Sequence, residues 1–77
     1  MEEVKVGGTY RHYKGNLYEV VGVAHHSETL EELVVYRALY ASPEYGTNAL
    51  WVRPKTMFLE NVLVNGKTMP RFTLVQN

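Results

Sequence analysis

Three imidazoles and a run of carboxylates are the groups in this chain that could do chemistry. His12, His25 and His26 could offer three nitrogens to a metal ion. Their spacing opposes that use. Adjacent residues of an extended segment point opposite ways, so His25 and His26 do not both reach one ion. The chain has no cysteine, no H-x-H and no H-E-x-x-H run, so neither metal nor cofactor is expected. His26, Ser27 and Glu28 carry the residue types of a hydrolytic triad. Consecutive positions cannot form one, because the base must reach the nucleophile from elsewhere in the fold. Glu28, Glu31 and Glu32 could include a general base, but acids beside a strand are ordinarily a solvated loop. An enzyme working through His12, His25 or His26 and Glu28 needs a fold that makes them converge. No residue is assigned as catalytic.

Binding chemistry has more to work with. Trp51 and Arg53 lie two apart and share one face of a strand. If Leu50 and Val52 point inward, Trp51 and Arg53 stand outside, where Arg37 of a neighbouring strand could join them. An exposed indole flanked by guanidiniums can stack a base, a peptide aromatic or a carboxylate-bearing ligand. The competing account packs Trp51 under a loop and pairs Arg53 with a glutamate. Tyr10, His12 and Tyr13 alternate with Arg11 and Lys14, a mixture suited to single-stranded nucleic acid. Alternatively, Tyr10 or Tyr13 simply closes one end of a barrel. The candidate ligand surface is therefore Tyr10, His12, His25, His26, Glu28, Arg37, Trp51 and Arg53.

Size and charge narrow the field. The chain of 77 residues reads as one domain, residues 1–77. Such a domain buries only ~60% of the surface its unfolded chain exposes, so a partner subunit would help, and a homodimer is kept open. Eight Lys and Arg balance eight Asp and Glu. Strong non-specific nucleic-acid binding, which needs uncompensated cations, is not expected. No apolar run is long enough for a membrane span, and the acidic start lacks a leader's apolar stretch. The expected compartment is the cytoplasm.

The elements that must position these groups are short strands. Val4–Val6 alternates before a glycine pair and reads as an edge strand or frayed arm. Thr9–Lys14 and Leu17–Ala24 flank the turn residues Lys14-Gly15-Asn16. Gly22 predicts a bulge or bend. His25–Glu32 reads as one helical turn capped by Thr29, or as a long hairpin loop. Leu33–Tyr40 is a strand with Val34, Tyr36 and Ala38 inward. Ala41–Asn48 is a loop. Ala49–Arg53 is a strand ended by Pro54, after which Lys55–Phe58 makes a helical turn whose Met57 and Phe58 plug a barrel end. Asn65-Gly66 predicts a type I′ hairpin between Leu59–Val64 and Thr68–Val75, with Phe72 and Leu74 inward and Pro70 at an edge. These features predict an all-β, mainly antiparallel fold: an SH3-like small barrel or roll of five to six strands with one short helical turn.

Four stretches carry a resemblance: YRHYKGNLYEVVGVA at 10–24, HSETLEELVVYRALY at 26–40, LWVRP at 50–54 with Met57-Phe58, and VNGK at 64–67 followed by Pro70-Arg71-Phe72. Together they resemble the small bacterial domains of domain-of-unknown-function family 1653, from about Gly8 to Leu74. The resemblance implies a bacterial origin and an SH3-type barrel, and no activity. The functional expectation is a non-catalytic binding module for a peptide, a nucleic-acid segment or a charged small ligand. A homo-oligomeric assembly domain is the alternative, with a His/Glu enzyme behind both.

Overall fold

Period-two alternation and three turn signals carry the chain through a series of hairpins. The computed structural model describes residues 4–77. Strands β1 (Thr9–His12), β2 (Leu17–His25) and β3 (Glu32–Ala38) form an antiparallel meander. The two-residue strands β4 (Ala41–Ser42) and β5 (Gly46–Thr47) make a small hairpin that leads into β6 (Leu50–Pro54). One helical turn, α1 (Lys55–Phe58), follows. A second hairpin, β7 (Asn61–Val64) and β8 (Lys67–Pro70), precedes β9 (Phe72–Gln76).

The main sheet has the order β6-β3-β2-β1-β9, all antiparallel. Among the described residues β6 and β9 do not pair, so the expected closure into an SH3-like barrel is not found. The predicted bulge is present: the β2–β3 register shifts between Val20 and Gly22. Such a bulge bends a strand and increases its twist. The predicted type I′ turn is also present, with Asn65 at φ 51° and Gly66 at φ 79°.

Two expectations are corrected, and one open alternative is decided in favour of the hairpin loop. Val4–Val6 forms no strand. Val4 is buried, and a turn ties the arm back through Gly7 N–H to the Val20 carbonyl at 2.9 Å. Met1–Glu3 lie outside the described residues. No helical turn forms at Thr29. Its hydroxyl accepts from Glu31 N–H at 3.2 Å inside a hairpin loop closed by His26 N–H to the Glu31 carbonyl at 2.8 Å. Of the two side chains expected to plug the core, only Phe58 does so; adjacent helical positions diverge by about 100°, and Met57 faces solvent.

The core is aromatic. Tyr10, Val20, Val34, Tyr36 and Phe72 line the inner face of the sheet, and Phe58 covers them from α1. Phe58 lies flat on Phe72, with centroids 4.1 Å apart and planes within 8°. Tyr10 and Tyr36 meet the Phe58 ring edge-on at 5.3 and 5.6 Å. Leu74 pairs with Tyr10 and so lies on the inner face as expected, although edge strand β9 leaves it 42% exposed. A domain of this size has roughly 4–12 kcal/mol of stability. Removing a fully buried Phe costs about 3–5 kcal/mol. Phe58→Ala is therefore expected to lose a large share of that stability and to unfold at a much lower urea concentration, whereas Phe58→Leu loses less. Equal urea midpoints for Phe58→Ala and the parent would contradict this account of the core.

Candidate functional site

Strand β6 decides where the polar chemistry lies. It pairs with β3 through Tyr36↔Trp51 and Val34↔Arg53. Directly opposed residues share a face, so Trp51 and Arg53 stand with buried Val34 and Tyr36. The expected orientation is inverted: Leu50 and Val52 are 63% and 61% exposed, while Trp51 packs against the core. The alternation was legible, but its polarity was not. An indole buries more area than Leu or Val, and the Arg53 stem can lie along the core with its head at the rim. Arg37 opposes Leu50 on the other face and cannot join Trp51 and Arg53.

The remaining candidates disperse. Tyr10 is a core residue whose hydroxyl accepts from Lys5 N–H at 2.9 Å. His25, His26 and Glu28 sit at the exposed tip of the β2–β3 hairpin. His12 lies near the opposite end of β2, beside Leu17. The nine residues from Leu17 to His25 make eight extended steps, roughly 26 Å. His26 uses its Nδ1 to accept from the backbone N–H of Glu28, at 3.1 Å, and of Thr29. It works there as a turn-forming acceptor. Among the described residues no group of three or more His, Asp or Glu could hold a metal ion.

What does assemble is an aromatic and cationic rim on the inner face. The Arg53 guanidinium carbon lies 5.5 Å from the Phe72 centroid, on a path for cation–π attraction. Tyr18 forms the next wall. Its ring meets Tyr36, Tyr40 and Phe72 edge-on at 5.3, 5.6 and 5.8 Å, and its hydroxyl bonds that of Tyr40 at 2.8 Å. His12 stands edge-on to Phe72 at 4.9 Å. Trp51 is flanked by Tyr45 at 5.0 Å. The ring contacts of Tyr18, Tyr36, Tyr40 and Phe72 join residues distant in sequence, so strand alternation can turn such residues inward but cannot bring them together.

The electrostatics of this rim are one-sided. Burial pushes the His12 pKa below its ordinary 6.5, and Arg53, Arg71 and Lys14 push it the same way. Burial raises the Tyr18 pKa, and the Tyr40 hydrogen bond adds to the rise. Burial also raises that of Tyr36, opposed by the nearby positive charge of Arg53. Both phenols therefore stay protonated at neutral pH. Arg71 is paired with Glu60 at 3.1 Å. Among the described residues no carboxylate pairs with Arg53, and the buried Arg53 Nη1 and Trp51 Nε1 lack hydrogen-bond partners. A cleft of about 280 Å³ lies elsewhere, lined by Leu59, Asn61, Pro70, Thr73 and Leu74 with the Tyr10 and Phe72 rings. It contains neither free donor, and the Tyr10 hydroxyl is already engaged. The arrangement at Trp51 and Arg53 can donate hydrogen bonds and offset negative charge; it shows no base aimed at a nucleophile.

These features define a small antiparallel β-domain with a cation-rich aromatic rim. The family described as protein of unknown function (DUF1653) matches residues 8–74, and the chain belongs to that family. It is also similar to a DUF1653 protein from Bordetella bronchiseptica, known from its crystal structure. The two are 36% identical with a TM-score of 0.81, over 94% of this chain and 88% of that one. None of the curated proteins matches.

His12 gives the rim a pH dependence. Its Nδ1 accepts from Lys14 N–H at 3.2 Å, a bond that protonation of Nδ1 removes. Above pH 6.5 both the folded and the unfolded chain leave His12 neutral. As pH falls through 6.5 toward the lowered native value, the unfolded chain takes up the proton first, so stability declines. His12→Asn keeps a side-chain acceptor within reach of Lys14 N–H and does not titrate. Urea midpoints are expected to fall less steeply between pH 7 and 5 in this variant than in the parent (roughly the range spanned by an ordinary histidine). Identical slopes would remove His12 as the titrating group.

Proposed function

We propose that this domain is a non-catalytic binding module that takes an anionic small ligand at the Trp51–Arg53 rim. One observation carries the reading: two buried N–H donors, two positions apart on the same face of β6, have no acceptor. A buried unsatisfied donor costs about 1–3 kcal/mol, and more when charged. Native proteins rarely leave such groups unpaired. An anionic oxygen at this place relieves both penalties. It also answers the positive surroundings of His12, which faces Arg53, Arg71 and Lys14. The rings of Phe72, Tyr18 and Trp51 supply apolar walls around the polar group, the usual composition of a small-molecule site.

The anionic group itself is the recognised feature, whether carboxylate or phosphate. A peptide or nucleic-acid segment is less well supported, because the paired cations Lys55 and Arg71 leave no continuous basic track toward the rim. The test follows the donors directly. Acetate and inorganic phosphate are titrated into isotopically labelled protein at constant ionic strength, and the Trp51 indole N–H and Arg53 Nε–H resonances are read. Saturable shifts of both are expected with at least one anion. A hydrogen bond to a charged group is worth about 1.5–3 kcal/mol, so Arg53→Met is expected to weaken binding by at least roughly tenfold. Trp51→Phe removes only the indole donor and is expected to have a smaller effect. Should neither resonance move for either anion before surface amides do, the proposal fails.

A further inference from the structure

We infer that the outer face of β2–β3–β6 is the contact between two copies of this chain. The inference does not depend on the reading of the inner rim. The inversion of β6 leaves Leu50 and Val52 more than half exposed. Val35 lies between Val52 and Gly22 in register, so these three make one apolar row across the face. The next row is Glu19, Arg37 and Leu50. An apolar strip bordered by charge is the usual composition of a protein contact.

The occupant follows from the pairing across β2 and β3. Glu19 directly opposes Arg37, and Gly22 directly opposes Val35. Consider a two-fold axis running along the strands, between β2 and β3. It places each Glu19 over the other copy's Arg37, and each Val35 over the other copy's Gly22. Acid meets base in one row, and a side chain meets an opening in the other. The opening is present: nothing lies within 4 Å of the position a Cβ at Gly22 would take. A face complementary to its own rotated image is what an isologous dimer requires. The formal net charge is zero, so copies do not repel at long range. A sheet of a small domain also gains from covering its second face.

Sedimentation equilibrium of the intact chain tests the inference. The parent is expected to be a dimer. Glu19→Lys and Arg37→Glu are each expected to weaken it by at least roughly tenfold, since like charges then face each other. The double variant is expected to recover most of the loss, because the signs are only exchanged. Gly22→Val fills the opening and is expected to give a monomer, and the open space above the glycine lets the variant fold. Val52→Lys, at a position already exposed, is expected to weaken the dimer too. Far-UV circular dichroism and urea unfolding establish that each variant is folded. A parent that sediments as a monomer at its highest soluble concentration overturns the inference and leaves the face to another partner or to none. So does a double variant as weak as the sum of its parts, or a Gly22→Val protein that dimerises like the parent.

Discussion

Phe58 stacked on Phe72 is the contact on which the rest of the structure depends. The five-stranded sheet does not close on itself, so its inner face needs a lid. The chain supplies one from a helical turn of four residues, too short to persist alone. Pro54 presets its start, and the tertiary contact of one ring holds it. Phe72 enters from the far edge strand, so the same stack joins β6, through α1, to β9. The two edges that do not hydrogen-bond to each other are held by ring contact instead.

That lid also explains the polar rim. Phe72 is covered by Phe58 and also supports the Arg53 guanidinium, with His12 and Tyr18 at its edges. An arginine held over a ring has little freedom to seek a partner in water. Its enclosed nitrogen stays unpaired for the same reason that its stem is well packed. Where an exposed arginine would lose little, one fixed at the margin of a core retains an unmet demand for an acceptor. The rim and the core therefore share Phe72.

The sequence made the hairpins legible and left the facing of one strand ambiguous. Asn65-Gly66, Gly22 and the alternation of Leu33–Tyr40 each act locally, within a turn or a strand. Those readings survive in the fold. At Leu50–Arg53 both alternating sets contain large apolar surface, so the pattern permits two orientations. The choice is made by Tyr36 and Val34, which come from another strand, and by Phe72, which comes from the far end of the chain. Without that information, pairing of the two strands would bring Arg37 beside Trp51 and Arg53; the register instead sets it opposite Leu50. The histidines fared likewise: His25 and His26 are neighbours of each other, but their distance from His12 depends on the length of β2. The four long-range members of the rim (Tyr18, Tyr36, Tyr40 and Phe72) come from three separate stretches of chain, and nothing local says that they meet.

A single inversion accounts for both surfaces of the sheet. Turning β6 so that Trp51 and Arg53 face the core necessarily sends Leu50 and Val52 outward, because a strand has only two faces. The gain is a large ring and a long stem against the aromatic cluster. The cost is two aliphatic side chains in water, about 1.5–3 kcal/mol each relative to burial. A second copy over the outer face would reduce the cost and leave the inner face untouched. The same local choice turns two buried donors to one side and two exposed aliphatic side chains to the other. The free aliphatics and the free donors are two consequences of one strand's orientation.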